Sequence, residues 1–158
     1  MPNAGDIIFA SDFEYLVAQS SSTSSSAAIG TTETVVVTLP SATYLAGCAY
    51  RVKVTGGLVM STTTAPAGWN LRKTSTAGTA VIQWPRSPAV GTTLAVDIGL
   101  SERYFVVGAS DVTTVLVLST VATAGATVTH AASAQYPRGV DIHFVGPSSK
   151  WPNAVVLS

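Results

Sequence analysis

The chain has 158 residues, of which 47% are hydrophobic and only 10% are charged, and its formal net charge is +0. Ordinary soluble domains carry roughly 25% charged residues. A surface with so few charges resists association poorly, so we expect much of it to be covered in an assembly. The basic residues are scattered along the chain, which argues against a nucleic-acid partner because such binding needs clustered Lys and Arg.

The single cysteine, Cys48, excludes an intrachain disulfide and is expected to be a buried or half-buried thiol. No run of 18 apolar residues is present, so we expect no membrane insertion. The N-terminus lacks the basic start and apolar core of a signal peptide. These features predict a protein that is made in a cytoplasm and stays there until it assembles.

Residues 1–18 are unlike the rest of the chain because they combine acidic and large apolar side chains. Ser11 followed by Glu14 makes a capping box, so we predict an extended arm over 6–10 and a short helix near 12–19. A set of apolar side chains here is too dense to leave in water: Ile7, Ile8, Phe9, Phe13, Tyr15, Leu16 and Val17. We predict that this set is a partner interface. The alternative is that the arm folds back and completes the core of its own β-domain.

The tract at 19–28 reads QSSSTSSSAA. Ser-rich, low-complexity tracts have no core to bury and behave as flexible linkers. The tract therefore predicts two parts, an N-terminal arm with a helix and linker at residues 1–28 and a β-domain at residues 29–158. A glycosylated or phosphorylated stalk is the alternative function of the tract.

After residue 28 the hydrophobic period is 2 almost throughout. The predicted strands are spaced roughly 8–12 residues apart, as in sandwiches and barrels: 33–39, 49–55, 58–62, 69–74, 79–84, 93–98, 103–107, 112–121, 126–131 and 139–145. The run at 112–121 is apolar on both faces, which is typical of a central strand covered by a second sheet or a neighbouring subunit. The patterns predict an all-β fold, an antiparallel β-sandwich of jelly-roll-like type.

No constellation of residues predicts catalysis. A Ser/His/Asp site needs a positioned nucleophile, base and acid, and no G-x-S-x-G elbow is present. Asp141 and His143 share one strand face but lack further ligands for a metal, and His130 is expected to be a hydrogen-bonded strand residue. We therefore predict no catalytic, cofactor-binding or metal-binding residues, no cofactor, and a protein that is not an enzyme.

The three tryptophans raise the question of sugar binding. Trp69 and Trp84 lie in predicted strands and are expected in the core, whereas Trp151 lies in the tail. A glycan-binding function would show as a Trp or Tyr platform on an exposed face.

Three stretches carry a resemblance to a known class of protein. The opening PNAGDIIFASDFEYL resembles the start of short virion proteins of tailed bacteriophages, especially those of actinobacteria. Such proteins often open with an A-G-D-hydrophobic-hydrophobic pattern followed by a Ser-Asp-Phe-like helix start. The β-rich stretches GTTETVVVTLPSATYLAGCAYRVKV and YFVVGASDVTTVLVLS are similar to these proteins as well. The resemblance implies a structural protein of the virion with a β-sandwich fold, homotrimers and no catalytic residues.

Within the virion, we predict a tail-associated role, as a minor tail or fibre protein that assembles through its arm and its sandwich flank, although the resemblance itself fits tail and head proteins alike. The alternative is a capsid decoration (cement) protein on the head, and a third interpretation is a carbohydrate-binding module. The expected partners are copies of the chain, other virion proteins of tail or capsid, and a host-surface glycan. The expected location is the virion, after synthesis in the host cytoplasm.

Overall fold

The computed structural model describes residues 14–60, 67–84, 95–96, 101–123 and 127–158. Within these ranges the chain forms strands and one short 3₁₀ turn at Ser148–Lys150, so the predicted all-β sandwich is confirmed. The strands are β1 Tyr15–Ser22, β2 Thr34–Thr38, β3 Ala42–Tyr44, β4 Cys48–Thr55, β5 Gly57–Met60, β6 Ala67–Lys73, β7 Ala80–Gln83, β8 Ala95–Val96, β9 Ser101–Val107, β10 Val112–Thr114, β11 Leu116–Ala122, β12 Val128–Ala131, β13 Arg138–Pro147 and β14 Val155–Leu157.

Two sheets supply most of the core. The first is five-stranded in the order β1-β13-β4-β9-β14, and the second is four-stranded in the order β2-β11-β6-β7. A three-stranded sheet, β12-β5-β8, and a two-stranded ribbon, β10-β3, complete the described fold. The described strand pairs are antiparallel, in agreement with the predicted antiparallel sandwich, except at the sheet edge where β14 runs parallel to β9. The jelly-roll connection stays a prediction.

Aromatic side chains line the inner face of the five-stranded sheet. Tyr15, Phe144, Tyr50 and Phe105 follow one another across β1, β13, β4 and β9 in direct register. Tyr15 stacks on Phe144 at 5.0 Å between ring centroids, and Tyr50 stacks on Phe105 at 5.3 Å. Each such pair adds about 0.5–1.5 kcal/mol beyond the burial of its area. Phe144, Tyr50 and Phe105 of this row join the buried side chains of β6 and β11 in one core cluster.

The predicted central strand at 112–121 is two strands, because the pairing breaks at Val115. Its second part, β11, lies between β2 and β6 as a central strand should. Both faces of β11 are buried, with Leu118 inside and Val117 and Ser119 outside. On the outer face, Ser119 Oγ donates to Glu33 of the same chain. The chain itself therefore contributes to covering this face, for which the sequence pattern predicts a second sheet or a neighbouring subunit.

The helix predicted near 12–19 is wrong where the structure describes it, because residues 15–19 belong to β1. Strand β1 pairs with β13 along its length, with a register shift between Leu16 and Ala18. The capping box is a local signal, whereas the unpaired edge of β13 offers hydrogen bonds to any extended segment beside it. Tyr and Val also favour strands, so tertiary pairing prevails over the helix start.

The Ser-rich tract is more ordered than the predicted flexible linker. Ser20 and Ser21 pair with β13, and the Ser26 N–H donates to His130 O at 3.0 Å. Arg138 Nε donates to Ser24 O at 2.7 Å. Serine hydroxyls and backbone thus replace the missing apolar contacts with hydrogen bonds to β12 and β13. The role of residues 1–28 as an attachment module stays a prediction.

Two smaller observations complete the fold. Cys48 is a half-buried free thiol, as predicted. Within the described ranges, no helix has the length and apolar character needed to cross a membrane.

Candidate assembly interface

The predicted interface residues fall partly inside the described structure. Tyr15, Leu16 and Val17 open β1, while Ile7, Ile8, Phe9 and Phe13 lie outside the described residues. Tyr15 is 45% exposed and Leu16 is 48% exposed, although both belong to a paired strand. The start of β1 therefore presents apolar side chains at one edge of the five-stranded sheet.

The same strand also contributes to its own domain. Ala18 is buried in the core cluster, Val17 packs against it, and the Tyr15 ring rests on Phe144. For residues 15–18, the structure therefore agrees with the alternative in which the segment completes the β-domain. The exposed parts of Tyr15 and Leu16 remain available to a partner.

The opposite edge of that sheet is formed by β14. Leu157 is buried in the core, but Val155 and Val156 are 49% and 56% exposed. Edge strands carry a row of backbone N–H and C=O groups without a partner in the sheet, which makes them templates for pairing with another chain. Among the described residues, both edge strands of the five-stranded sheet lack a second strand partner and carry exposed apolar side chains, a feature that the sequence pattern did not reveal for β14.

Charged side chains cover the outer face of the five-stranded sheet. Glu14 Oε1 accepts a hydrogen bond from Arg51 and lies 3.3 Å from His143 Nδ1. Arg51 Nε lies 3.9 Å from Glu102 Oε1. Exposed pairs of this kind contribute about 0–1 kcal/mol each. No group of three or more His, Cys, Asp or Glu side chains that could hold a metal ion occurs among the described residues.

An aromatic shelf of Tyr104 and Trp151 lies on the same sheet. The two rings stack at 5.7 Å between centroids with 22° between their planes. Arg103 and Lys150 flank a shallow cavity of about 390 Å³ beside them. Both rings are half-buried, whereas Trp69 and Trp84 are in the core as predicted. The shelf is a partly exposed aromatic pair of the kind that would accompany sugar binding.

A polar network on the outer face of the four-stranded sheet was not predicted. Glu33, just before β2, accepts hydrogen bonds from Arg72 Nε at 2.7 Å, Arg72 Nη2 at 2.9 Å and Asn70 Nδ2 at 2.9 Å. Ser119 Oγ donates to the same carboxylate. Burial alone would raise the pKa of Glu33, but the hydrogen bonds from Arg72, Ser119 and Asn70 outweigh it and lower the pKa to about 2.

His130 is a buried titratable side chain, and it is hydrogen-bonded as the sequence predicted. Its Nε2 lies 3.0 Å from Thr55 O, and its ring lies 5.2 Å from the Trp69 ring. Its Nδ1 has no partner among the described residues. Burial disfavours the charged imidazolium and lowers the pKa of His130 to about 4, so the ring is neutral near pH 7.

Comparison with known proteins gives few matches. No protein-family model matches the sequence, and a search of curated proteins found no relative. The chain is similar to part of a protein in the structure of the infectious bursal disease virus Gx strain, with 18% identity and a TM-score of 0.45, covering 92% of this chain and 34% of that one. It is also similar to the infectious bursal disease virus VP2 subviral particle, with 16% identity and a TM-score of 0.43, covering 92% of this chain and 35% of that one. The chain spans about a third of the length of those proteins, and the similarity is too weak to assign a function.

Proposed function

We propose that this protein is a non-enzymatic structural component of a bacteriophage virion, associated with the tail as a minor tail or fibre protein. The structural observation that supports the proposal is the five-stranded sheet, whose two edge strands have no second strand partner in the described part of the chain and carry exposed apolar side chains. Tyr15 and Leu16 mark one edge, and Val155 and Val156 mark the other. Surfaces of this kind are normally covered by other protein in an assembly. The resemblance of the opening stretch to phage virion proteins supplies the biological setting.

The sparse charge of the chain supports assembly with copies of itself, and we propose a homotrimer. Closed symmetric oligomers bury the same surface on every copy, and two open edges on one sheet suit contacts around a symmetry axis. Light scattering of the purified protein at micromolar concentration should give three times the chain mass. A stable monomer would contradict this part of the proposal without affecting the fold.

The seven-residue apolar set in the N-terminal arm is proposed as the attachment element to other virion proteins. The structure allows a sharper test than removal of all 28 residues, because β1 begins at Tyr15 and contributes to the core. Deleting residues 1–13 should leave the melting temperature nearly unchanged but abolish incorporation into particles. Deleting residues 1–28 should instead lower the melting temperature, because it removes β1 from β13. If the shorter deletion is incorporated normally, residues 1–13 are not the anchor.

The experiment that tests the virion role is electron microscopy of purified particles with the protein carrying a label at its C-terminus. Label on the tail supports the proposal, and label on the head supports the alternative, a capsid decoration protein. Particles that contain no labelled protein would contradict both roles. A host-surface glycan as a further partner is consistent with the Tyr104–Trp151 shelf.

A further inference from the structure

A second cavity lies on the four-stranded sheet, which is not the sheet whose edge strands carry the proposed assembly surface. Its volume is about 460 Å³, within the roughly 300–1,000 Å³ of ordinary small-ligand sites. The side chains on which the argument depends line this cavity and belong to Thr31, Glu33, Asn70, Arg72, Gln83 and Trp84. We call this space the β6–β7 cavity. Gly68 of β6, directly opposite Val121 of β11, lies at the same surface and adds no side chain to fill it.

The walls of the β6–β7 cavity are fixed by the polar network. Arg72 donates two hydrogen bonds to Glu33 and a third, from Nη1, to Gly78 O at 3.0 Å. Asn70 is held by Glu33 and lies directly opposite Gln83 in the β6–β7 pairing. A bidentate Arg–carboxylate pair fixes geometry as well as charge. The site is therefore held in place before any ligand arrives, which reduces the entropy cost of binding.

Charge excludes several classes of ligand. Glu33 and Arg72 neutralise each other, and no other charged side chain lines the cavity among the described residues. An anion such as phosphate would find no free cation, because Arg72 is committed to Glu33 and Gly78. An apolar ligand would leave the many polar walls without partners, which is costly.

The hydrogen-bonding groups that remain are both donors and acceptors. A carboxylate can only accept, so Asn70 must donate its Nδ2 to Glu33, and its Oδ1 is left as an acceptor. The Gln83 amide and the Thr31 hydroxyl each offer a donor and an acceptor. Trp84 is buried, and its indole N–H has no partner among the described residues. Buried donors are nearly always paired, so the described residues leave this indole N–H without an acceptor.

We propose that the β6–β7 cavity binds a small neutral polyhydroxylated ligand, a single sugar ring. Hydroxyl groups donate and accept at once, carry no charge, and match a wall of amides, a hydroxyl and a neutralised ion pair. The apolar face of a sugar ring suits the Val121 side of the cavity. The proposal does not rest on the virion role, because the isolated protein carries the whole site.

The test is NMR titration of isotope-labelled protein with four neutral monosaccharides: glucose, galactose, mannose and N-acetylglucosamine. At least one should shift the side-chain amide signals of Asn70 and Gln83 and the indole signal of Trp84. Inorganic phosphate and glucuronate should shift none of these signals. Absence of shifts with all four sugars at about 0.1 M, where a ligand with a Kd of about 1 mM saturates its site, would overturn the proposal. If phosphate shifted these signals more than the sugars do, the proposal that the ligand is neutral would be overturned.

Two variants test the location. Gln83 is exposed, so Gln83→Ala should keep the melting temperature and weaken sugar binding about tenfold through lost hydrogen bonds. Gly68→Leu should fill the cavity and abolish binding, with its fold checked by the NMR spectrum. Gln19→Ala, an exposed glutamine on the other sheet, is the matched control and should bind as the unchanged protein does. Equal loss of binding in Gln19→Ala, or none in Gln83→Ala, would place the site elsewhere.

Discussion

Glu33 and Arg72, which are 39 positions apart in sequence, form a bidentate ion pair with N–O distances of 2.7 and 2.9 Å. The pair lies on the outer face of the four-stranded sheet. Both side chains are largely covered, with about a fifth of each exposed. Asn70 and Ser119 bind the same carboxylate, so Glu33 joins the segment before β2 to both β6 and β11. One side chain thus links this segment to two strands.

Glu33→Gln should lower the free energy of unfolding by roughly 1–3 kcal/mol, because it leaves Arg72 without its charged partner. Urea unfolding at pH 7 measures the difference. The matched control is Glu102→Gln, since Glu102 lies 3.9 Å from Arg51 at the surface, and such pairs contribute about 0–1 kcal/mol. Equal losses in the two variants would show that the network adds no stability beyond a surface pair.

The Glu33 interaction should also show in the pH dependence of stability. The pKa of Glu33 falls from 4.5 to about 2 in the folded chain. The unfolded state therefore binds more protons between these values, and stability is lost as the pH falls from 4.5 towards 2. Urea unfolding should show the difference between the unchanged protein and Glu33→Gln shrinking over this window. A constant difference would contradict a lowered pKa.

His130 should destabilise the protein over a different acidic range. Its pKa is lowered from 6.5 to about 4, so the unfolded state binds the proton first as the pH falls. Stability should then decrease between pH 6.5 and pH 4, by about 3 kcal/mol in total. Thermal unfolding against pH measures it. His130→Gln should remove this decrease, whereas His143→Gln, on the outer face, should retain it.

Two serines of the low-complexity tract should differ in their contribution. Ser26 Oγ accepts the His130 N–H at 2.9 Å, and His130 is buried. Ser26→Ala should therefore cost about 1–2 kcal/mol, because it leaves a buried donor unpaired. Ser21→Ala removes an exposed hydroxyl and should change stability by less than about 0.5 kcal/mol. If the two variants lost similar amounts of stability, the result would support the predicted flexible linker instead.

Gly56 should not tolerate a side chain. It has φ +92, and an added Cβ would lie 2.7 Å from His130 Nε2 and 2.9 Å from Arg138 Cβ. Gly56→Ala should therefore cost about 3 kcal/mol or more, from backbone strain together with overpacking. Gly47 has φ +68 but open space around its Cβ position, so Gly47→Ala should cost only about 1 kcal/mol. Calorimetry that gave equal costs would show that His130 moves aside without penalty.

The sequence by itself determined the all-β class, most strand positions, the central place of β11 and the burial of Trp69 and Trp84. These follow from side-chain alternation, which every strand carries within its own few residues. Only the tertiary structure decided that residues 15–22 form a strand, because the open edge of β13 supplies the partner. It also decided which charges meet, since Glu33 reaches Arg72 only when β2, β11 and β6 become neighbours. Local periodicity says nothing about strand order, and strand order determines both the edges of the sheet and the walls of the β6–β7 cavity.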